Sequence, residues 1–181
     1  MPYYTKAGDM GRTCILGAGR LAKDDLLVEA LGCFDELSCA LGVAASFSSH
    51  RATASTLYHL QNDLHTVCAE LSSGGSEKFP LIREEHLAEL ELAVARIEGI
   101  IGPQSSFLLP GGSRLASLIH LARAVARRAE RTLVRLSKAR PVRSELLVYA
   151  NRLSTLLYVL ARLQNRMQGF SEAQPRYRYQ K

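Results

Sequence analysis

Between Arg114 and Arg143, nine lysine and arginine side chains face a single acid, Glu130. Within that run Arg123, Arg127 and Arg131 recur every fourth residue, with His120 about one turn earlier. On a helix they form one stripe, where like charges four apart repel by roughly 0.2–0.5 kcal/mol per pair. A nucleotide triphosphate or a partner's carboxylate would relieve that repulsion, because the guanidinium fork matches both groups. A solvated face whose cations complement a helix C-terminus accounts for the spacing equally well, and spacing alone leaves both readings open.

A second group opens the chain, Thr5-Lys6-Ala7-Gly8-Asp9-Met10-Gly11-Arg12-Thr13. Its glycines let backbone N–H groups approach an anion, Lys6 adds charge, and Thr5 and Thr13 offer hydroxyl donors. It lacks the GxxxxGK[ST] pattern of a Walker loop, and Gly17-Ala18-Gly19 has no dinucleotide-fold context, so an ordinary N-terminal arm is the alternative. The third candidate is Phe107-Leu108-Leu109-Pro110-Gly111-Gly112. It is either a hydrophobic plug for a connection or an apolar wall beside a large flat ligand. Asn151 either faces solvent or hydrogen-bonds an adenine or ribose.

No Ser/His/Asp or Cys/His arrangement and no paired carboxylates stand out, so chemistry built on these residues uses no side-chain base. Cys14, Cys33, Cys39 and Cys68 form no CxxC pair and no zinc-ligand spacing. They read as small hydrophobes in a reducing compartment, and no metal held by protein ligands is expected.

Helical periodicity positions these groups after about Asp25. Apolar residues step by three or four through Leu27, Leu31, Phe34, Leu37, Leu41 and Ala44, then through Leu57, Leu60, Leu64, Cys68 and Leu71. A third run is Leu87, Leu90, Val94, Ile97 and Ile101, with Glu84 and Glu85 at the start, where the helix dipole favours acids. The fourth follows Ser113, an N-cap residue type, through Leu115, Leu118, Ala122, Val125, Ala129, Leu133 and Leu136. The fifth begins near Ser144 and uses Leu147, Ala150, Leu153, Leu157 and Leu160. Single stripes joined by short breakers predict an all-α, up-and-down five-helix bundle, with no sheet. Residues 1–24, with Gly8, Gly11, Gly17 and Gly19, and residues 102–113 fall outside the pattern.

The 181 residues suit one domain, expected as an N-terminal segment 1–24, a bundle 25–166 and a tail 167–181. No window approaches a run of about 20 apolar residues, and the N-terminus lacks a signal-like stretch, so a soluble cytoplasmic protein without membrane contact is expected. The net charge is +6, yet residues 114–143 alone carry nine cations less one acid. A basic bundle that binds nucleic acid is therefore a rival reading. Against it, that segment has no Phe, Tyr or Trp to stack bases.

In order along the chain stand Tyr4-Thr5-Lys6-x-Gly8-Asp9-x-Gly11-x-Thr13, Lys23-Asp24-Asp25, Asp35-Glu36-Leu37, Gln61-Asn62-Asp63-Leu64, Phe107-x-Leu109-Pro110-Gly111-Gly112, Arg123-Ala124-Val125-x-Arg127-Arg128-Ala129-Glu130-Arg131 and Asn151-Arg152-Leu153-Ser154. This ordered set resembles the helical-bundle family of ATP:cob(I)alamin adenosyltransferases, from about Tyr4 to Asn165. The resemblance implies a homotrimer with sites between subunits, ATP and Mg²⁺ bound there, and cobalamin as the second substrate. It implies that Thr5, Lys6, Ala7, Gly8, Thr13, Lys23, Arg127, Arg128, Glu130, Arg131 and Asn151 contact ATP. Asp35 and Arg123 match a salt bridge between subunits, and Phe107 matches an aromatic at the lower face of the corrin. Catalysis is expected to rest on Arg127 and Phe107. Cob(I)alamin is the nucleophile in such a reaction, which accords with the lack of a side-chain base. A cobalamin reductase and an adenosylcobalamin-dependent enzyme are implied as partners. A relative that binds nucleotide but has lost turnover is the remaining rival. The chain departs from the family pattern at Met10 (commonly Lys), at Ser38-Cys39 (usually Asn-Ser) and at Thr155 (usually Asp).

Overall fold

The computed structural model describes residues 6–177. A two-stranded antiparallel hairpin, β1 (Arg12–Ile15) and β2 (Gly19–Ala22), precedes five helices. These are α1 (Leu26–Ser46), α2 (Arg51–Ser73), α3 (Glu84–Ile101), α4 (Arg114–Ala139) and α5 (Ser144–Met167). The helical bundle is the expected one; the hairpin is a correction. Arg12 pairs with Ala22 and Ile15 with Gly19, and Gly17 at the tip takes φ +81°. A side chain at Gly17 would lie 2.7 Å from the Ser72 carbonyl, so the tip packs backbone to backbone on the end of α2.

The helix ends follow from local chemistry. Asp25 caps α1, its carboxylate accepting the Leu27 N–H at 2.8 Å. Gly74 closes α2 in the left-handed region at φ +65°. Ser113 caps α4 and accepts the Ala116 N–H at 3.2 Å. Pro141 stops α4, and Arg140 before it is extended at φ −143°.

Lateral packing runs α2, α1, α4, α5, α3, so α4 and α5 are flanked on both sides. The core joins Phe34, Leu37 and Leu41 of α1 to Ile119 and Leu133 of α4 and Leu153 and Leu157 of α5. The stripe read for α3 is the thinnest. Only Leu90 and Ile97 are fully buried there, because α3 lies at the edge against α5.

Two buried polar groups link the helices across the core. Buried Glu70 accepts the Ile82 N–H at 2.7 Å and the Arg143 guanidinium at 3.1 Å. Tyr149 donates to Asp63 at 2.9 Å. One expectation needs amending, for α5 is by length and mean hydropathy (1.2) apolar enough to cross a membrane. Its apolar residues are instead spent on the core, from Leu146 to Ala161.

Candidate functional site

The glycine-rich arm folds back on the open end of the hairpin. Asp9 N–H donates to the Lys6 carbonyl at 3.2 Å, Gly11 N–H to Gly8 at 3.3 Å, and Lys23 N–H to Gly11 at 2.8 Å. Arg20 reaches across to the Ala7 carbonyl at 2.6 Å. The Lys23 ammonium stands 3.4 Å from where a Gly8 side chain would begin. Lys6 occupies the left-handed region at φ +58°, a conformation a lysine adopts only where its surroundings impose it. Lys6, Ala7, Gly8, Thr13 and Lys23 therefore share one corner of the molecule. Thr5 lies outside the described residues.

The second group stands on the exposed face of α4. Arg131 donates to the Arg127 carbonyl at 3.0 Å, one helical turn back. The Arg127 guanidinium is exposed and makes no hydrogen bond or ion pair among the described residues. Arg128 instead pairs with Glu36 of α1. Glu130 accepts from Asn151 at 2.9 Å, so α4 and α5 are joined at this level. The Asn151 amide oxygen accepts from Arg152 at 2.8 Å, and Arg152 pairs with Glu91 of α3 at 3.0 Å. Asn151 thus faces solvent, yet its rotamer is fixed by two neighbours. Glu36 and Glu91 were missed in the sequence because their partners sit on other helices.

One turn toward the N-terminus, Arg123 lies over the Tyr158 ring, 5.8 Å from its centroid, and its Nε is buried without a hydrogen-bond partner. His120 Nδ1 is also buried and unpartnered. Burial, and then the Arg123 charge, push the His120 pKa below its usual value, which keeps the ring neutral. Within the chain, Asp35 and Arg123 form no ion pair among the described residues.

Phe107 sits on the loop between α3 and α4 and is 80% exposed. Leu109 N–H donates to the Ala173 carbonyl of the C-terminal segment at 2.7 Å. Gln104, three residues before Phe107, accepts from Tyr158 at 2.7 Å. Anchored on both sides, the aromatic ring stands clear of the core.

Helix geometry separates these groups within one chain. The 26 residues of α4 span about 39 Å, and Arg127 stands about 20 Å from Arg140. The hairpin lies at the Arg140 end, where Arg140 pairs with Asp25, while the Phe107 loop enters at Ser113. A cavity of about 400 Å³ beneath the hairpin tip is lined by Gly17, Leu27, Leu71, Leu136 and Leu146. It includes none of the candidate residues. The candidate residues stand at three levels of the bundle.

Fold and surface define a helical bundle with a glycine-rich N-terminal arm and an exposed arginine row on α4. The sequence profile named Cobalamin adenosyltransferase matches residues 3–164, and the chain belongs to that family. It is 40% identical over 168 residues to the corrinoid adenosyltransferase PduO of Citrobacter freundii, a match covering 91% of this chain and 50% of that protein. The chain thus spans about half the length of that relative. A corrinoid adenosyltransferase of Bacillus subtilis is 35% identical over 96% of this chain and 92% of its own. Among solved structures, a phenylalanine-to-alanine variant of the PduO-type ATP:corrinoid adenosyltransferase of Lactobacillus reuteri, complexed with cobalamin and ATP, superposes with a TM-score of 0.91 at 31% identity. That match covers 97% of this chain and all of the other. An arginine-to-lysine variant of the same enzyme, complexed with ATP, gives a TM-score of 0.89 at 30% identity over 96% of this chain and 99% of the other.

Proposed function

We propose that this chain transfers the 5′-deoxyadenosyl group of ATP to the cobalt of cob(I)alamin, giving adenosylcobalamin and triphosphate. The observation that carries the reading is Arg127, an exposed guanidinium without a partner among the described residues, at the centre of an arginine row on a family-matched bundle. Cobalt(I) supplies the electron pair for the new Co–C5′ bond. The C5′–O5′ bond breaks, and its pair leaves on the triphosphate. No proton needs to be removed from either reactant.

Arg127, Arg128 and Arg131 meet the negative charge that gathers on the leaving group. Glu130 keeps Asn151 oriented toward the nucleoside, and the Lys6–Gly8 arm with Lys23 and Thr13 closes over the phosphates from another copy. Arg128 exchanges Glu36 for phosphate when the nucleotide arrives. Among the described residues no three His, Cys, Asp or Glu side chains group as metal ligands. Mg²⁺ therefore fits here as an ion carried chiefly by phosphate oxygens and water, its common mode with nucleotides.

A homotrimer is part of the proposal. It is supported by the separation of arm, arginine row and Phe107 loop along α4, and by exposed Leu121 and Val134 among the arginines of that helix. In it Asp35 of one copy meets Arg123 of the next, and Phe107 crowds the lower face of the corrin so that the axial base is displaced. The four free cysteines accord with a reducing cytoplasmic setting. A one-electron donor must deliver cobalt(I), and an enzyme that uses adenosylcobalamin must take the product.

The test is incubation of the protein with Mg-ATP and chemically reduced cobalamin, following the corrin spectrum in the dark. Stoichiometric triphosphate with a light-sensitive Co–C product is expected. Saturable ATP binding without product would instead identify a binding protein that has lost turnover.

A further inference from the structure

Asn165, near the end of α5, is 1% exposed and takes no part in the proposed contacts to nucleotide or corrin. Both polar atoms of its side chain are bonded. The amide nitrogen donates to the Gly111 carbonyl at 2.9 Å, and the amide oxygen accepts the Ser113 N–H at 2.9 Å. Its own carbonyl accepts the Phe170 N–H at 2.8 Å, where the chain leaves α5. Between the two bonded residues, Gly112 takes φ +104°, and a side chain there would lie 2.2 Å from the Asn165 oxygen. The backbone of the Phe107 loop is thus pressed onto this amide at the point where it turns into α4. Ser113 is also the cap of α4. One amide therefore fixes the exit of the Phe107 loop and the first residue of the helix that carries Arg127.

We infer that Asn165 is the positioning residue of the Phe107 loop, holding the aromatic at the height and angle that corrin binding requires. The inference rests on the proposed role of Phe107. A carboxylate at this position keeps the acceptor for Ser113 but presents a second acceptor to the Gly111 carbonyl, where a donor is needed. Asn165→Asp therefore loosens the loop on one side while α4 keeps its start. Asn165→Ala removes both bonds and leaves the Gly111 carbonyl and Ser113 N–H without partners.

The experiment has two arms. In the first, Asn165→Asp is compared with wild type in ATP affinity, in product formation from cob(I)alamin supplied ready reduced, and in product formation from cob(II)alamin with a one-electron reductant. ATP affinity should stay unchanged. The cob(II)alamin route should lose on the order of a hundredfold, the usual cost of about 1 Å of misplacement, and the cob(I)alamin route much less. Equal losses on both routes, tracking a lower Tm, would make Asn165 a structural residue only and overturn the inference.

The second arm is independent of the reaction. The chain contains no tryptophan, so Phe107→Trp provides a single tryptophan on the loop, excited at the red edge where the tyrosines do not absorb. Its anisotropy should fall, and its quenching by acrylamide rise, when Asn165→Asp is added. Unchanged values sink the inference even if adenosyl transfer is confirmed. A change in them sustains the loop's dependence on Asn165 even if the reaction proves to be another. Should Asn165→Ala fail to fold, Asn165→Asp alone decides.

Discussion

Replacing Arg127 by alanine separates catalysis from folding more cleanly than any other substitution in this chain. The guanidinium is exposed and has no hydrogen-bond or ion-pair partner among the described residues. Its removal should therefore change folding stability by no more than about 0.5 kcal/mol. The effect on turnover depends on how dry the assembled site becomes. If a neighbouring copy's arm closes over the triphosphate, one charge-assisted contact to the leaving group contributes about 2–4 kcal/mol in the transition state. That is a loss of roughly 30- to 1000-fold in kcat/KM. If the row stays open to water, the same contact is worth about 1 kcal/mol or less, a few-fold change. Steady-state assays of Arg127→Ala and Arg127→Lys, with Tm measured on the same preparations, distinguish the cases. Lysine keeps the charge but loses the planar fork, so its value should fall between wild type and alanine. A near-wild-type kcat/KM for Arg127→Ala would remove this residue from the site, and with it the observation on which the functional reading stands.

Phe107→Ala should leave Tm and ATP affinity nearly unchanged, because the ring is exposed in the single chain. It should fail chiefly when the reaction starts from cob(II)alamin; equal losses from both oxidation states would return Phe107 to a loop plug. Asp35→Ala should weaken the oligomer in sedimentation experiments, and the exchanged pair Asp35→Arg with Arg123→Asp should recover part of it. A structure of the assembly with these groups beyond 4 Å in every pairing of copies would refute the contact. Burial holds the Asp63 carboxyl above its ordinary value of 3.8, against the lowering effect of the Tyr149 hydrogen bond and His86. Its contribution to stability is full below 3.8 and is lost as pH rises through the folded value. Asp63→Asn keeps an acceptor for Tyr149 and should flatten that decline, so parallel Tm–pH curves for the two proteins would contradict it.

The helices were legible because each had a continuous stripe and a chemical terminus. Ser113 and Ser144 fell where the periodicity set them, and Asp25 proved to be the cap of α1. The hairpin was not legible. Its strands are four residues each, half of them exposed, and carry no continuous alternating pattern between the glycines at 11, 17 and 19. Gly17 and Gly19 shape the turn between β1 and β2, whereas Gly8 and Gly11 lie in the arm beside Lys23. Within the site, the arginine row could be found from spacing along one helix. The pairings of Arg128 with Glu36 and of Glu130 with Asn151 could not, for they depend on which helices lie side by side. Asn165 carried no local signal, because its meaning lies in a backbone carbonyl and an N–H some fifty residues earlier.

The span of α4 has a consequence for how this chain tolerates change in length. That helix holds the Phe107 loop at one end, the ion pair to Asp25 at the other, and the arginine row between. One residue inserted between Arg127 and Arg140 would turn everything beyond it by about 100° and slide it by about 1.5 Å. Placed before Arg131, the insertion would turn Arg131 away from Arg123 and Arg127 while every side chain remained present. An insertion of seven residues would bring the face back nearly into line but lengthen the helix by about 10 Å, moving the hairpin off its seat on α2. An insertion or deletion in α4 thus disturbs far more of the molecule than a substitution at one of its exposed positions. Extra residues are better placed in the connections at residues 47–50 and 76–80, which carry no candidate residue and precede the buried Leu81 and Ile82.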